Sequence, residues 1–334
     1  MHGTSALLLF LTIILNSVCT AQSDWKVDIR EWDVPTAKAR PHDPAIAPDG
    51  SLWYTGQNAN NLGRLDPKTG QIKEFPLKTS NSGPHGLVAD KDGNIWYTGN
   101  SAAHIGKLDP KTRAVTEYPM PDPAARDPHT PIFDGNGILF FTVQQGNFIG
   151  KLDPAKDPKS AVTLHKMPEA NVRPYGIVIG PDGLPYFAMV GTNKIGRIDP
   201  DTLAVKEYLL PEGARVRRLT GAKDGFIYYA DFARGFLGRL DPKSGKVEEW
   251  PSPGGAGSRP YGIAATPDGM VWYSESGVEP NTLVIFDPGK KSFQKWPIPS
   301  GGGVVRHMIA TPDGKLYLAN SGVNKVAIAE VKRK

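Results

Sequence analysis

The stretch GPHGLVADKDGNIWYTG, from Gly83 to Gly99, decides the fold. It reads as a strand entered through Pro84, a tight turn at Asp92-Gly93, and a second strand carrying Ile95, Trp96 and Tyr97. An Asp-Gly pair between apolar runs supplies the positive φ angles that short hairpins need. Equivalent turns place Gly50, Gly93, Gly137, Gly183, Gly225, Gly269 and Gly314 at intervals of 43, 44, 46, 42, 44 and 45 residues. Each unit runs on into a third strand such as NLGRLDP, a DPxTG turn, and a fourth strand ending like KEFP or VEEWP. A period in the forties with four strands per unit is that of a propeller blade.

The wider chain agrees. It has 37 Gly and 31 Pro, and no long stretch shows apolar residues at helical spacing, which favours short strands and turns. The seventh unit stops after VNKVAIAEV (Val323 to Val331), whereas VDIREWDVP (Val27 to Pro35) resembles a fourth strand without a blade. Joining them closes the ring and removes exposed edges. The expectation is an all-β, seven-bladed β-propeller of four-stranded blades, one domain over residues 22–334, closed by its N-terminal strand. The glycine of the IGR and LGR segments is expected to let neighbouring blades approach.

Residues Ala6 to Val18 form an apolar run followed by Cys19-Thr20-Ala21, a pattern read as a signal peptide over residues 1–21 with Gln22 first in the mature chain. A lipoprotein form through Cys19 is the alternative. The run is too short to span a bilayer comfortably, so the mature chain is expected to be exported, periplasmic or secreted, without a membrane span. Cys19 is the one cysteine; its removal leaves no disulfide chemistry. The formal charge of +5 comes from Lys and Arg scattered singly in turns, which argues against nucleic acid as a partner. A monomer is expected.

A ring brings the same slot of every blade to the central channel. Eight residues before the turn glycines stand His42, His85, His129, Tyr175, Arg217 and Tyr261; in the seventh unit Arg306 or His307 takes the place, and the pattern RHMI against PHGL favours His307. Scaffold positions repeat because each blade packs on the next, while a channel-facing slot varies with what is bound. These residues form a polar, partly cationic surface for a small-molecule or peptide ligand, although capping of strand entries is the alternative role. A second set follows the aromatic strands: Gly56, Gly99, Val143, Met189, Asp231, Glu275 and Asn320. The oxygens of Asp231, Glu275 and Asn320 are candidate ligands for a hard cation, Mg²⁺ or Ca²⁺; hydrogen bonding to strands or water is the alternative.

The units PHGL, DGNIWYTG, HIGKLDP and TEYP, repeated from about Trp32 to Val331, resemble the virginiamycin B lyase (streptogramin lyase) family of seven-bladed propellers. The resemblance implies elimination at the ester of a cyclic depsipeptide, with a histidine base and Mg²⁺ held by glutamates of the last blades. Position by position, the base falls on His307 and a substrate-facing histidine on Tyr261. The glutamate two residues before the base falls on Val305, and a later one falls near Asn320 or Ser321. A more distant similarity to gluconolactonase-like propellers implies a metal-dependent lactonase. Two functions follow: a metal-assisted C–O lyase or hydrolase using His307, Glu275 and Asp231, with Arg217 or Arg306 gripping an anionic group, or a non-catalytic binding propeller.

Overall fold

The computed structural model describes residues 24–334; the expected signal peptide and Cys19 lie outside them. Seven four-stranded antiparallel sheets form the blades. Blade 1 consists of Pro41–Ile46, Leu52–Gly56, Asn61–Leu65 and Ile72–Pro76, ordered from the inner strand outward. Blades 2 to 6 repeat this arrangement over residues 84–119, 128–166, 174–209, 216–251 and 260–297. Blade 7 takes three strands from residues 305–333 and its outermost from Trp25–Asp33. That strand pairs continuously with Lys325–Arg333, from Trp25 opposite Arg333 to Asp33 opposite Lys325. The closure expected from the sequence is therefore present.

No single core fills the disc. Among the described residues the buried apolar side chains separate into seven clusters, each lying chiefly between two neighbouring blades. Leu52, Tyr54 and Leu65 of blade 1 meet Tyr317, Val326 and Ile328 of blade 7, which seals the ring.

The glycines of the third strands have a different role from the one expected. Gly63 lies opposite Tyr54 within blade 1, and a Cβ built on it would come 1.9 Å from the tyrosine ring. Gly106 stands in the same relation to Tyr97 and Gly238 to Tyr229. The missing side chain makes room for an aromatic ring across the same sheet, not for the next blade.

Candidate functional site

Every inner strand carries a β-bulge where it reaches the axis, such as that between Pro84 and Leu87 in blade 2. A bulge re-aims the side chains on it. Hydroxyls of the second strands hold four of these bulges. The Thr98 hydroxyl accepts from Gly86 N at 2.8 Å and donates to the His129 carbonyl of the next blade at 2.9 Å. Thr55, Thr142 and Ser274 bridge in the same way. One side chain thus fixes a bulge and ties it to its neighbour.

The bulges present two residues each, and these build two layers. The first contains His42, His85, His129, Tyr175, Arg217, Tyr261 and Arg306. Val305 pairs with Asn320 as Pro260 pairs with Glu275, so Arg306 occupies the slot of blade 7. His307 is the residue after it, a correction to the preference from local pattern. The structure does bring the expected ring together. His42, His85 and His129 stack at centroid separations of 3.8 Å, with Tyr175 continuing the column at 3.9 Å. The Tyr175 and Tyr261 hydroxyls lie 2.5 Å apart, and Arg217 Nη1 donates to Tyr261 at 3.0 Å and to Tyr175 at 3.4 Å.

Apart from His307, the second layer was not anticipated. It contains Asp43, Gly86, Thr130, Gly176, Arg218, Gly262 and His307. Arg218, 2% exposed, donates to Asp43 Oδ1 at 2.7 Å and to Thr130 Oγ1 at 3.2 Å. His42 Nδ1 donates to the same Asp43 oxygen at 2.8 Å, and His85 Nδ1 to the His129 carbonyl at 3.2 Å. Both bonds place the proton on Nδ1 and leave Nε2 as an acceptor. The signal lay in the sequence: glycine follows the slot in three blades, and polar or charged residues follow it in four.

Burial sets the protonation of this centre. It lowers His42 to about 4 against the opposing pull of Asp43. His307 falls to about 3 through burial and then through Arg218. His85 and His129 are lowered well below the ordinary imidazole value, chiefly by burial. Burial opposes ionisation of Asp43, yet Arg218 and His307 hold its carboxyl well below the usual range. The axis therefore carries neutral imidazoles around one ion pair.

The oxygen ligands expected for a cation are not gathered. Asp231 accepts from Arg215 N at 3.0 Å and from Arg234 Nε at 2.6 Å. Glu275 accepts from the Ser252 and Thr282 hydroxyls, each at 2.6 Å, and from Gly254 N at 2.5 Å. Asn320 donates to Glu31 Oε1 at 2.7 Å. The three share no partner. Alternation explains this: Glu275 follows Ser274, whose hydroxyl faces blade 7, so the carboxylate faces the opposite side of the sheet. Val305, where the resemblance calls for a glutamate, is fully buried and apolar. Among the described residues, the side chains that do cluster at metal-ligand spacing are His42, Asp43 and His85, but there Arg218 already neutralises the carboxylate. This donor set does not fit a hard dication.

At the mouth, a cavity of about 400 Å³ is lined by Arg173, Arg215, Arg217 and Arg259 with Tyr175 and Phe232. Asp127 occupies the rim position of blade 3, and burial lifts its carboxyl to about 6 against hydrogen bonds from Asn100 and Gln145 and the charge of Arg173. A folded value above the unfolded 3.8 means that its favourable contribution is complete below pH 3.8 and lost as pH rises through about 6. Asp127→Asn is therefore expected to stabilise the fold at pH 8 by roughly 1–3 kcal/mol. The gain should vanish at about pH 4 in urea unfolding curves. The positive φ of 70° at this residue suits asparagine.

Solved structures match this architecture. A streptogramin B lyase is 26% identical over 92% of this chain and 98% of its own, with a TM-score of 0.83. A catalytically inactive virginiamycin B lyase from Staphylococcus aureus with quinupristin is 22% identical over 91% of this chain and 99% of its own, with a TM-score of 0.81. A hydrazine synthase from Kuenenia stuttgartiensis shares the fold at 17% identity and a TM-score of 0.74, covering 90% of this chain and 97% of its own. No curated protein sequence matches the chain. The profile of the virginiamycin B lyase family matches residues 2–190 and 161–333, and the chain, with its seven blades, belongs to that family.

Proposed function

We propose that this propeller binds a polar small molecule or peptide at its axial mouth and does not carry out metal-assisted ester elimination. The observation that carries this reading is the Arg218–Asp43 ion pair at the axis. It puts a guanidinium charge close enough to His307 to oppose protonation of its imidazole. Burial and Arg218 also hold His307 at about 3, a poor match to proton abstraction near neutral pH. Arg217 and Tyr175, held in place by Tyr261, line the mouth where the ligand would sit. The apolar run from Ala6 to Val18 and the small residues after it support action outside the cytoplasm.

Elimination remains the second reading, favoured by one observation: His307 Nδ1 is buried without a hydrogen-bond partner. Incubation with quinupristin and Mg²⁺ separates the two. Ring opening by elimination conserves mass, so chromatographic retention is the readout. Unchanged retention with Mg²⁺, Ca²⁺ or EDTA is expected. A Mg²⁺-dependent shift that disappears in His307→Ala would establish the lyase reading instead.

A further inference from the structure

The residue entering each inner strand is Arg40, Gly83, Asp127, Arg173, Arg215, Arg259 and Val304 in blades 1 to 7. With Arg217 and Arg306 from the slots, six arginines stand at one mouth. Arg173, Arg215 and Arg259 are exposed, and Arg40, Arg217 and Arg306 are half-buried. The cavity that four of them line has no carboxylate in its wall. Phe232 forms its apolar side, with the guanidinium of Arg217 4.2 Å from the ring centroid and that of Arg259 5.7 Å away.

Structural duty does not account for three of these residues. Arg40, Arg173 and Arg259 have φ of 56°, 53° and 49°, a left-handed conformation that costs an ordinary residue energy. Blades 2 and 3 fill the same position with Gly83 at 58° and Asp127 at 70°, residue types that adopt it more cheaply. Three blades thus keep arginine where the backbone favours something smaller. Concentrated like charge also opposes folding unless an anion offsets it. Burial and Arg306 lower the Arg40 guanidinium from its ordinary value.

We propose that the axial mouth is a receptor for a small organic oligoanion, a molecule bearing two or more carboxylate or phosphate groups. This rests on the axial mouth being the ligand site and adds the charge class of the ligand. Planar guanidinium forks pair bidentately with either oxyanion, and Phe232 receives the carbon skeleton between them. Neutral ligands gain nothing from the ring, and cations are repelled by it.

Isothermal titration calorimetry of the mature chain tests this with citrate, pyrophosphate and, as an uncharged match, triethyl citrate. At low salt, citrate or pyrophosphate should bind and triethyl citrate should not; which anion binds more tightly identifies the oxyanion. Binding should weaken by about tenfold or more in Arg173→Gln/Arg259→Gln, whose exposed sites leave the fold intact, and stay unchanged in Arg64→Gln, which pairs with Asp49 at the hairpin turn of blade 1, away from the mouth. Raising the salt to about 0.3 M should weaken it further. Absence of heat with both anions, or equal binding by the double variant, overturns the proposal. Binding of triethyl citrate that is lost in Tyr261→Phe would overturn the charge class while keeping the mouth as the ligand site. Turnover of quinupristin would instead remove the non-eliminating reading beneath it.

Discussion

Arg218→Ala should lose about 3–5 kcal/mol of stability, read from urea unfolding followed by tryptophan fluorescence. The guanidinium is 2% exposed and meets Asp43 and Thr130, from inner strands of blades 1 and 3, across the axis from blade 5. Removing it strands the Asp43 carboxylate, which is fully buried and already has Oδ2 without a partner. A buried charge without its mate costs more than the pair contributed. The companion variant Arg218→Met/Asp43→Leu should recover most of the loss, because replacing both charges with apolar groups leaves none unpaired. A loss in the single variant of less than about 1 kcal/mol would show that the pair is solvated and not the hub described here. In the double variant the two imidazoles should part if the Met and Leu side chains keep the layer closed: His42 loses the raising pull of Asp43, which outweighs Arg218, and should titrate lower, whereas His307, on which Arg218 acts more strongly than Asp43, should titrate higher.

Deleting residues 24–33 should have the larger effect of the two, with a stability loss above about 5 kcal/mol that leaves the ring unable to remain closed. The deletion removes a strand paired over its whole length and exposes the edge of Lys325–Arg333. Trp25, 7% exposed, packs edge-on to Trp272 at 6.1 Å in the interface between blades 6 and 7. Differential scanning calorimetry should show a broadened transition at much lower temperature, and gel filtration should show oligomers joined through the open edge. A synthetic peptide of residues 24–33 should restore the sharp transition by adding the missing strand. A truncated chain that melts like the intact one would mean that the seam between blades 1 and 7 suffices without it.

The blade count, the closure and the slot ring were legible because each depends on local pattern repeated at fixed spacing. Turn glycines, aromatic strands and the orphan fourth strand all announce themselves in single stretches of chain. The side on which a residue falls was harder to read. Asp231, Glu275 and Asn320 sit at matching positions, but pleating turns them toward loops and outer strands of the ring, where donors such as Arg234, Ser252 and Thr282 already meet the two carboxylates. The bulges were invisible for the same reason, since one extra residue shifts every following side chain. Arg218 and Asp43, 175 positions apart, meet only once the ring closes, and no local pattern relates them. The rim arginines escaped notice because they precede the slot, where the eye reads only Arg-Pro or Arg-Val.

The stacked imidazoles of His42, His85 and His129, together with the Arg218–Asp43 pair beneath them, plug the bore of the disc. Under the binding proposal, a guest on the arginine side would meet these buried side chains across the axis, and its entrance would also serve as its exit. Residence time is then governed by the rim alone, so a weaker or stronger grip at Arg173 or Arg259 alters how long a guest stays without any change to the centre.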